Sequence, residues 1–351
     1  MGVVGLCVVE QRWPIAMTSE EHEQTVVQAE RWFEQNGLPY FVAGNEQRVL
    51  AALQLTRLAP VVVTALIVGA AAGIGGGLLA ADVSTGVLVA SLAVAGIVLV
   101  YALASLHLQP ILRWAVRQTF GSLGWLFPLV TRALPLLLLF MTFLFINTEV
   151  WQVSSALDRG LLWLTVLLFA VVAVVFLLVR LPEEVRQVSG DASDDRLCRI
   201  CAGTPVEAAA SEVAGEAMAQ VELSQLQRAN LVLVLLFSQA LQVFLLAVSV
   251  FGFFLIFGSV AISDSVIQSW LGEEYPDGRN IPSHLPSLDW LPISNELFQV
   301  SVFLAAFSGL YFTVYAVTDQ NYREQFFTSI AEELERAVGV QTVYRTLLFK
   351  A

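Results

Sequence analysis

Lysine is nearly missing from this chain: Lys350 is the single one in 351 residues, so almost all of the 18 cations are arginines. They are outnumbered by 30 acids, and the formal charge of −12 leaves no basic footprint for nucleic acid. Charged residues make up only 14% of the chain, against about 25% in soluble domains. Cysteine is scarce as well. Cys7, Cys198 and Cys201 all fall outside the segments assigned below to the outer side of a membrane, which excludes a disulfide framework. There is no P-loop, HExxH, GxSxG or dinucleotide fingerprint, so no motif argues for an enzyme or a cofactor.

What the chain has in excess is apolar length. Hydrophobic residues are 57% of the total and the mean hydropathy is +0.71. Six apolar runs, at about 60–80, 85–105, 127–146, 161–181, 230–258 and 298–317, are each long enough to cross a hydrocarbon core of about 30 Å. The fifth run is the longest and must tilt or project beyond the bilayer. The expected fold is therefore an all-α polytopic membrane bundle of about six transmembrane helices.

Arginine placement orients it. Arg12, Arg31, Arg48 and Arg57 precede the first run, Arg113 and Arg117 follow the second, and Arg186, Arg196, Arg199 and Arg228 occupy the long loop after the fourth. Arg323, Arg336, Arg345 and Lys350 lie in the tail, whereas the opposite side has only Arg159 and Arg279. The positive-inside rule then puts both termini in the cytoplasm of a plasma-membrane protein. The organisation expected is a cytoplasmic region 1–58, spans one to four in 59–181, a helical cytoplasmic loop 182–229, spans five and six in 230–318, and a tail 319–351. Residues 1–16 lack a basic n-region and a cleavage site, and read as an extension ahead of a start at Met17.

The polar segments carry folding signals. Thr18 with Glu21 is a capping-box pattern opening a helix with Val26, Ala29 and Phe33 on one face. Residues 38–44 read as a short strand or a turn, followed by a helix from Asn45 into span one. Thr204, Pro205 and Glu207 open a helix that can run on into span five. The outer loop 259–297 contains Pro276, Pro282, Pro286 and Pro292, too many for a long helix, and reads as an irregular acidic cap.

Five sets of residues are candidates for a role. Gly69, Gly73 and Gly77 in span one, and Ser301, Ala305, Gly309 and Thr313 in span six, form small-residue faces suited to helix packing in the bundle or a homodimer. Span two has Ser91 and Ala95. Ser238, Gln239, Gln242 and Ser249 bring polar side chains to mid-membrane depth in span five, where an unpaired amide is costly; they serve interhelical hydrogen bonds or line a substrate path. Arg132 in span three either snorkels to the interface or contacts an anion, and Asn147, Thr148, Glu149 and Trp151 at the other end read as an interfacial anchor. Cys198 and Cys201 form a CxxC, which could chelate metal or cycle as a redox pair but lacks a second ligand pair, with His22, His107 and His284 elsewhere. In the tail, Tyr322, Phe326, Ile330, Leu334 and Val338 repeat every four residues, an amphipathic helix for the membrane surface or for a protein contact.

Two stretches, RWFEQNGLPYFV at 31–42 and RALPLLLLFMTFLFINTEVWQV at 132–153, resemble a group of actinobacterial multi-spanning membrane proteins of unassigned function. The resemblance implies a bacterial plasma-membrane location and supplies no catalytic residues. Two functional classes follow from the residues. One is a non-enzymatic scaffold or accessory subunit of an envelope complex, whose partners are the bilayer and a second copy or another membrane protein. The other is a small-solute or ion transporter with a path along span five, and a CxxC redox or metal sensor is a minor third.

Overall fold

Each polar break in the sequence ends one helix and starts the next, and the result is helical throughout the described residues. The computed structural model describes residues 19–121, 137–188, 194–210, 223–272, 293–318 and 320–350, without the side chains of 19, 184, 186–188, 194–196, 316–318, 320–332 and 349–350. In chain order the helices are α1 (Ser19–Gln35), α2 (Asn45–Ala52), α3 (Leu55–Ala80), α4 (Val83–Ser105), α5 (Leu108–Gly121), α6 (Leu137–Phe145), α7 (Thr148–Ser155), α8 (Arg159–Val188), α9 (Asp194–Cys201), α10 (Gln225–Ala261), α11 (Asp264–Leu271), α12 (Asn295–Thr318) and α13 (Gln320–Lys350). No strand occurs among the described residues.

Five of these, α3, α4, α8, α10 and α12, are long and apolar enough to cross a membrane. The count becomes six if α6 and α7, which meet at a 73° bend, are one broken span. Asn147 makes that bend by capping α7, its side chain accepting from the Glu149 N–H at 2.8 Å. Trp151 is fully buried and its indole donates to the Phe145 carbonyl at 2.6 Å. The interfacial anchor expected there is instead a core tryptophan that locks the bend.

The α3–α4 hairpin lies at the periphery: 11% of the apolar stretch of α3 and none of α4 is buried, against 61% for α12. Its two helices meet through glycine. A Cβ at Gly73 would come within 2.8 Å of Ala90 Cβ and 2.9 Å of the Gly86 carbonyl, and one at Gly69 within 2.5 Å of Val94. The face of α4 that receives the glycine stripe is therefore Gly86, Ala90 and Val94. Ala95 is exposed, and Ser91 turns its hydroxyl onto the Val87 carbonyl of its own helix. Asp82 caps α4 and takes hydrogen bonds from Ser84 and Thr85, side chain and backbone alike, which hold its carboxyl below the usual carboxylate range.

The 37-residue α10 is the spine. At 1.5 Å per residue it is about 55 Å long and exceeds the hydrocarbon core. Its first turns enter one hydrophobic core with α1, α5, α8, α9 and α13; its last turns enter another with α6, α7, α11 and α12. The first and last described helices, α1 and α13, thus share one end of the bundle, called here the terminal end. At the other end Phe145 stacks on Phe254 at 4.7 Å, and Trp151 meets Trp270 edge-on.

Several boundaries differ from the sequence reading for identifiable reasons. Of the two readings of residues 38–44 the turn is the one formed, a 3-10 turn at 39–41 that follows Gly37, whose left-handed φ of 72° reverses the chain after α1. The helix from Asn45 does not run into span one, since Gln54 is extended and separates α2 from α3. Nor does a helix run unbroken from Thr204 into span five: α10 starts afresh at a capping box made by Ser224 and Gln227. Glu207 bonds the Gly203 N–H while Thr204 donates to the Cys201 carbonyl, so the box expected there is not formed. Beyond span five the loop begins with α11. Thr18, the four loop prolines and residues 127–136 of span three lie outside the described residues.

The hairpin packing predicts a graded response. Gly73→Val should lower the thermal midpoint in detergent by the equivalent of about 1–3 kcal/mol, the usual cost of overpacking. Gly75→Ala should leave it unchanged, because nothing lies within 4 Å of the added methyl.

Candidate functional site

The terminal-end core gathers segments that are far apart in sequence. At its centre is Asn230, fully buried at the foot of the spine. Its side-chain oxygen accepts the Tyr40 N–H at 2.9 Å, and its amide donates to the Gly37 carbonyl at 2.8 Å. Those two backbone groups belong to the turn after α1, so the spine holds the turn directly. The turn then reaches outward: the Tyr40 hydroxyl donates to the Leu106 carbonyl at 2.6 Å, and burial pushes that phenol up to about 12. Phe33 packs against Phe41 and edge-on against Tyr344 of α13. Burial also raises the Tyr344 phenol, which donates to Glu30 at 2.8 Å and accepts from the Ala43 N–H at 3.2 Å.

Two hollows open on this end, on either side of Trp114. The first, of ≈ 90 Å³, lies between α1, α5, α10 and α13 and is lined by Trp32, Asn36, Trp114, Val234, Glu333 and Arg336 among others. Glu333 accepts from the Gln118 amide at 2.9 Å through one oxygen, while its other oxygen is buried without a hydrogen-bond partner among the described residues. Burial raises its pKa against the opposing pull of Arg336 and of the Gln118 hydrogen bond. The second hollow is an open cleft of ≈ 280 Å³ formed by Arg31, Glu34, Gln35, Pro110, Arg113, Trp114 and Arg117. Sequence reasoning passed over Glu333, Trp32 and Trp114 because they lie in three separate segments, and only the packing of α1, α5 and α13 unites them.

The polar set on span five is divided by the structure. Ser238 and Gln239 are 1% and 4% exposed, and Gln242 is half-buried. The Ser238 hydroxyl and the Gln239 and Gln242 side-chain oxygens are buried without hydrogen-bond partners among the described residues. Ser249 is not with them: it is exposed, and its hydroxyl donates to the Leu245 carbonyl one turn back. On α12, Gln299 and Ser301 also carry buried, unpartnered oxygens. Ser301, Ala305, Gly309 and Thr313 are all buried; Gly309 faces Val243 and Ala247 of α10, and Thr313 donates to the Gly309 carbonyl at 2.8 Å.

Cys201 is fully buried beside Gly339 of α13, and burial pushes its thiol up to about 12, with Cys198 and Glu207 adding to the rise. A thiol so protonated at neutral pH is a poor nucleophile and a poor metal ligand. No group of three metal-capable side chains is gathered among the described residues. In the tail, Leu334 is 4% exposed within the terminal-end core. Tyr322, Phe326 and Ile330 fall on α13 with side chains outside the described ones, and Arg132 lies outside the described residues altogether.

Compared with protein-family models, curated proteins and solved structures, the chain matches none.

Glu333 generates a pH prediction. An acid whose folded pKa is raised above its unfolded value costs stability progressively as pH rises from the unfolded value through the folded one. Glu333→Gln keeps the acceptor for Gln118 and should raise the thermal midpoint at pH 8, with the difference from wild type vanishing near pH 4. Equal midpoints of the two proteins at pH 8 would contradict it.

Proposed function

We propose that the chain is a multi-pass plasma-membrane protein, with both termini in the cytoplasm, that acts as a non-enzymatic scaffold or accessory subunit of an envelope complex. The observation that carries this reading is the terminal-end core. It is far larger than loops between spans require, and it is welded through Asn230 to a helix that continues to the opposite end. The arginines on alternate loops support the cytoplasmic assignment of that end. The described spans also lack Asp, Glu, Lys, Arg and His from 58 to 80, 83 to 105, 160 to 179, 229 to 261 and 297 to 318, which disfavours proton- or ion-coupled work inside the bilayer. The tail stripe supplies the contact: Leu334 is taken up inside the chain, and Tyr322, Phe326 and Ile330, earlier on the same helix, engage the partner.

The reading is tested by crosslinking living cells and purifying through a C-terminal tag. A stoichiometric membrane-protein partner should appear and should be lost on alanine substitution of Tyr322, Phe326 and Ile330. Recovery of the chain alone, or of a partner indifferent to those changes, would remove the tail as the contact.

A transporter is the second reading, favoured by one observation: the unmatched buried oxygens of Ser238, Gln239 and Gln242 on α10 and of Gln299 and Ser301 on α12. Polar atoms without internal partners suit a lining that meets solute or water. On this reading Gln242→Leu should abolish flux in liposomes while the thermal midpoint holds. Wild-type flux from that variant would rule out the path.

A further inference from the structure

Helix α5 has three faces. Ile111, Ala115 and Thr119 are buried in the terminal-end core. Next to them runs an apolar stripe that the described residues leave open: Leu112 and Val116 are each 38% exposed and Phe120 52%. The remaining face carries Arg113 and Arg117, one turn apart and both exposed. A helix with an uncovered apolar stripe beside cations is built to lie in a membrane interface, and α5 begins three residues after α4, a helix long and apolar enough to span, ends.

The cation face is half of the ≈ 280 Å³ cleft, and α1 supplies the other half with Arg31. Three arginines thus line the cleft with a single acid, Glu34, in a chain whose acids otherwise outnumber its cations. Arg117 is fixed by donating to the Gln35 carbonyl at 2.7 Å, which uses one of its five N–H groups and satisfies the end of α1. No hydrogen bond or ion pair of the Arg31 or Arg113 side chain occurs among the described residues. Trp114, nearly buried, also lines the cleft. The volume is just below that of sites for drug-sized molecules, so it suits a headgroup and not a whole amphiphile. Arginines gathered around a small cleft supply the planar guanidiniums that bind phosphate through paired hydrogen bonds.

We infer that Arg31, Arg113 and Arg117 form a binding site for the phosphate of an anionic phospholipid, whose acyl chains lie along Leu112, Val116 and Phe120. The apolar stripe is what selects lipid over a soluble phosphate, since a free anion has nothing to place there. The inference is independent of whether the protein scaffolds or transports.

The test uses the full chain purified in a neutral detergent, titrated in mixed micelles with dioleoyl phosphatidylglycerol, dioleoyl phosphatidylcholine or inorganic phosphate, and read by native mass spectrometry and thermal midpoint. Wild type should retain phosphatidylglycerol in preference to phosphatidylcholine. Each cation near an anionic headgroup contributes on the order of five-fold in affinity, so Arg31→Gln with Arg113→Gln should weaken phosphatidylglycerol about 30-fold and abolish the preference. Glu34→Gln, which removes the lone acid, should tighten it about five-fold, and this variant decides the matter if the double variant aggregates. Equal retention of the two lipids by wild type, unchanged binding by the double variant, or no tightening by Glu34→Gln overturns the site. Inorganic phosphate matching phosphatidylglycerol at equal concentration overturns the lipid assignment.

Discussion

Two hydrogen bonds from one amide hold the terminal end together. Asn230 satisfies a donor and an acceptor of the turn that follows α1, and it does so from inside the spine, where water cannot substitute. Leaving either backbone group unmatched in that core would cost on the order of 1–3 kcal/mol. Because the turn is pinned, Tyr40 can reach the Leu106 carbonyl at the end of α4, and Phe33 and Phe41 can face Tyr344. Together with the bonds from Arg117 to Gln35 and from Tyr344 to Glu30, that side chain sets the orientation of α1, and with it the position of Arg31 opposite α5.

The two ends of the molecule are stabilised by different physics. The α3–α4 hairpin buries little of its apolar surface, and close backbone approach through Gly73 and Gly86 supplies its dispersion contacts. At the terminal end, segments rich in arginine, glutamate and asparagine fold against each other, and burial of Phe33, Ile111, Val340 and Leu347 follows the ordinary hydrophobic drive. The spine takes part in both regimes along its own length.

The spans were legible because a bilayer demands about twenty apolar residues in a row, and few other structures do. The terminal-end core was not. Several of its hydrogen bonds join positions 190 to 314 residues apart, and local periodicity carries no information about such pairings. Asn230 stands at the edge of an apolar run and read as the start of a span. Trp151 read as an interfacial residue because tryptophan commonly is one, and only the bend at Asn147 turned it inward. Some signals were available and unused: Ser224 with Gln227 is a capping box in plain sequence, and Arg113 with Arg117 at a four-residue spacing marks one face of a helix. Those arginines served only to orient the bundle, because counting cations by loop discards their arrangement within it.

The contact between α1 and α13 joins residues that are made far apart in time. Glu30 and Tyr344 are 314 positions apart. At about 5–20 residues per second of synthesis, α1 waits roughly 15–60 s for its partner. During that interval the apolar face of Ala29 and Phe33 lacks the cover of Tyr344, while the helices long and apolar enough to span are being made. The terminal-end core is therefore closed only after every helix long and apolar enough to span has been made, and a chain cut between α12 and α13 would keep all of those helices while leaving the Phe33 face of α1 without Tyr344.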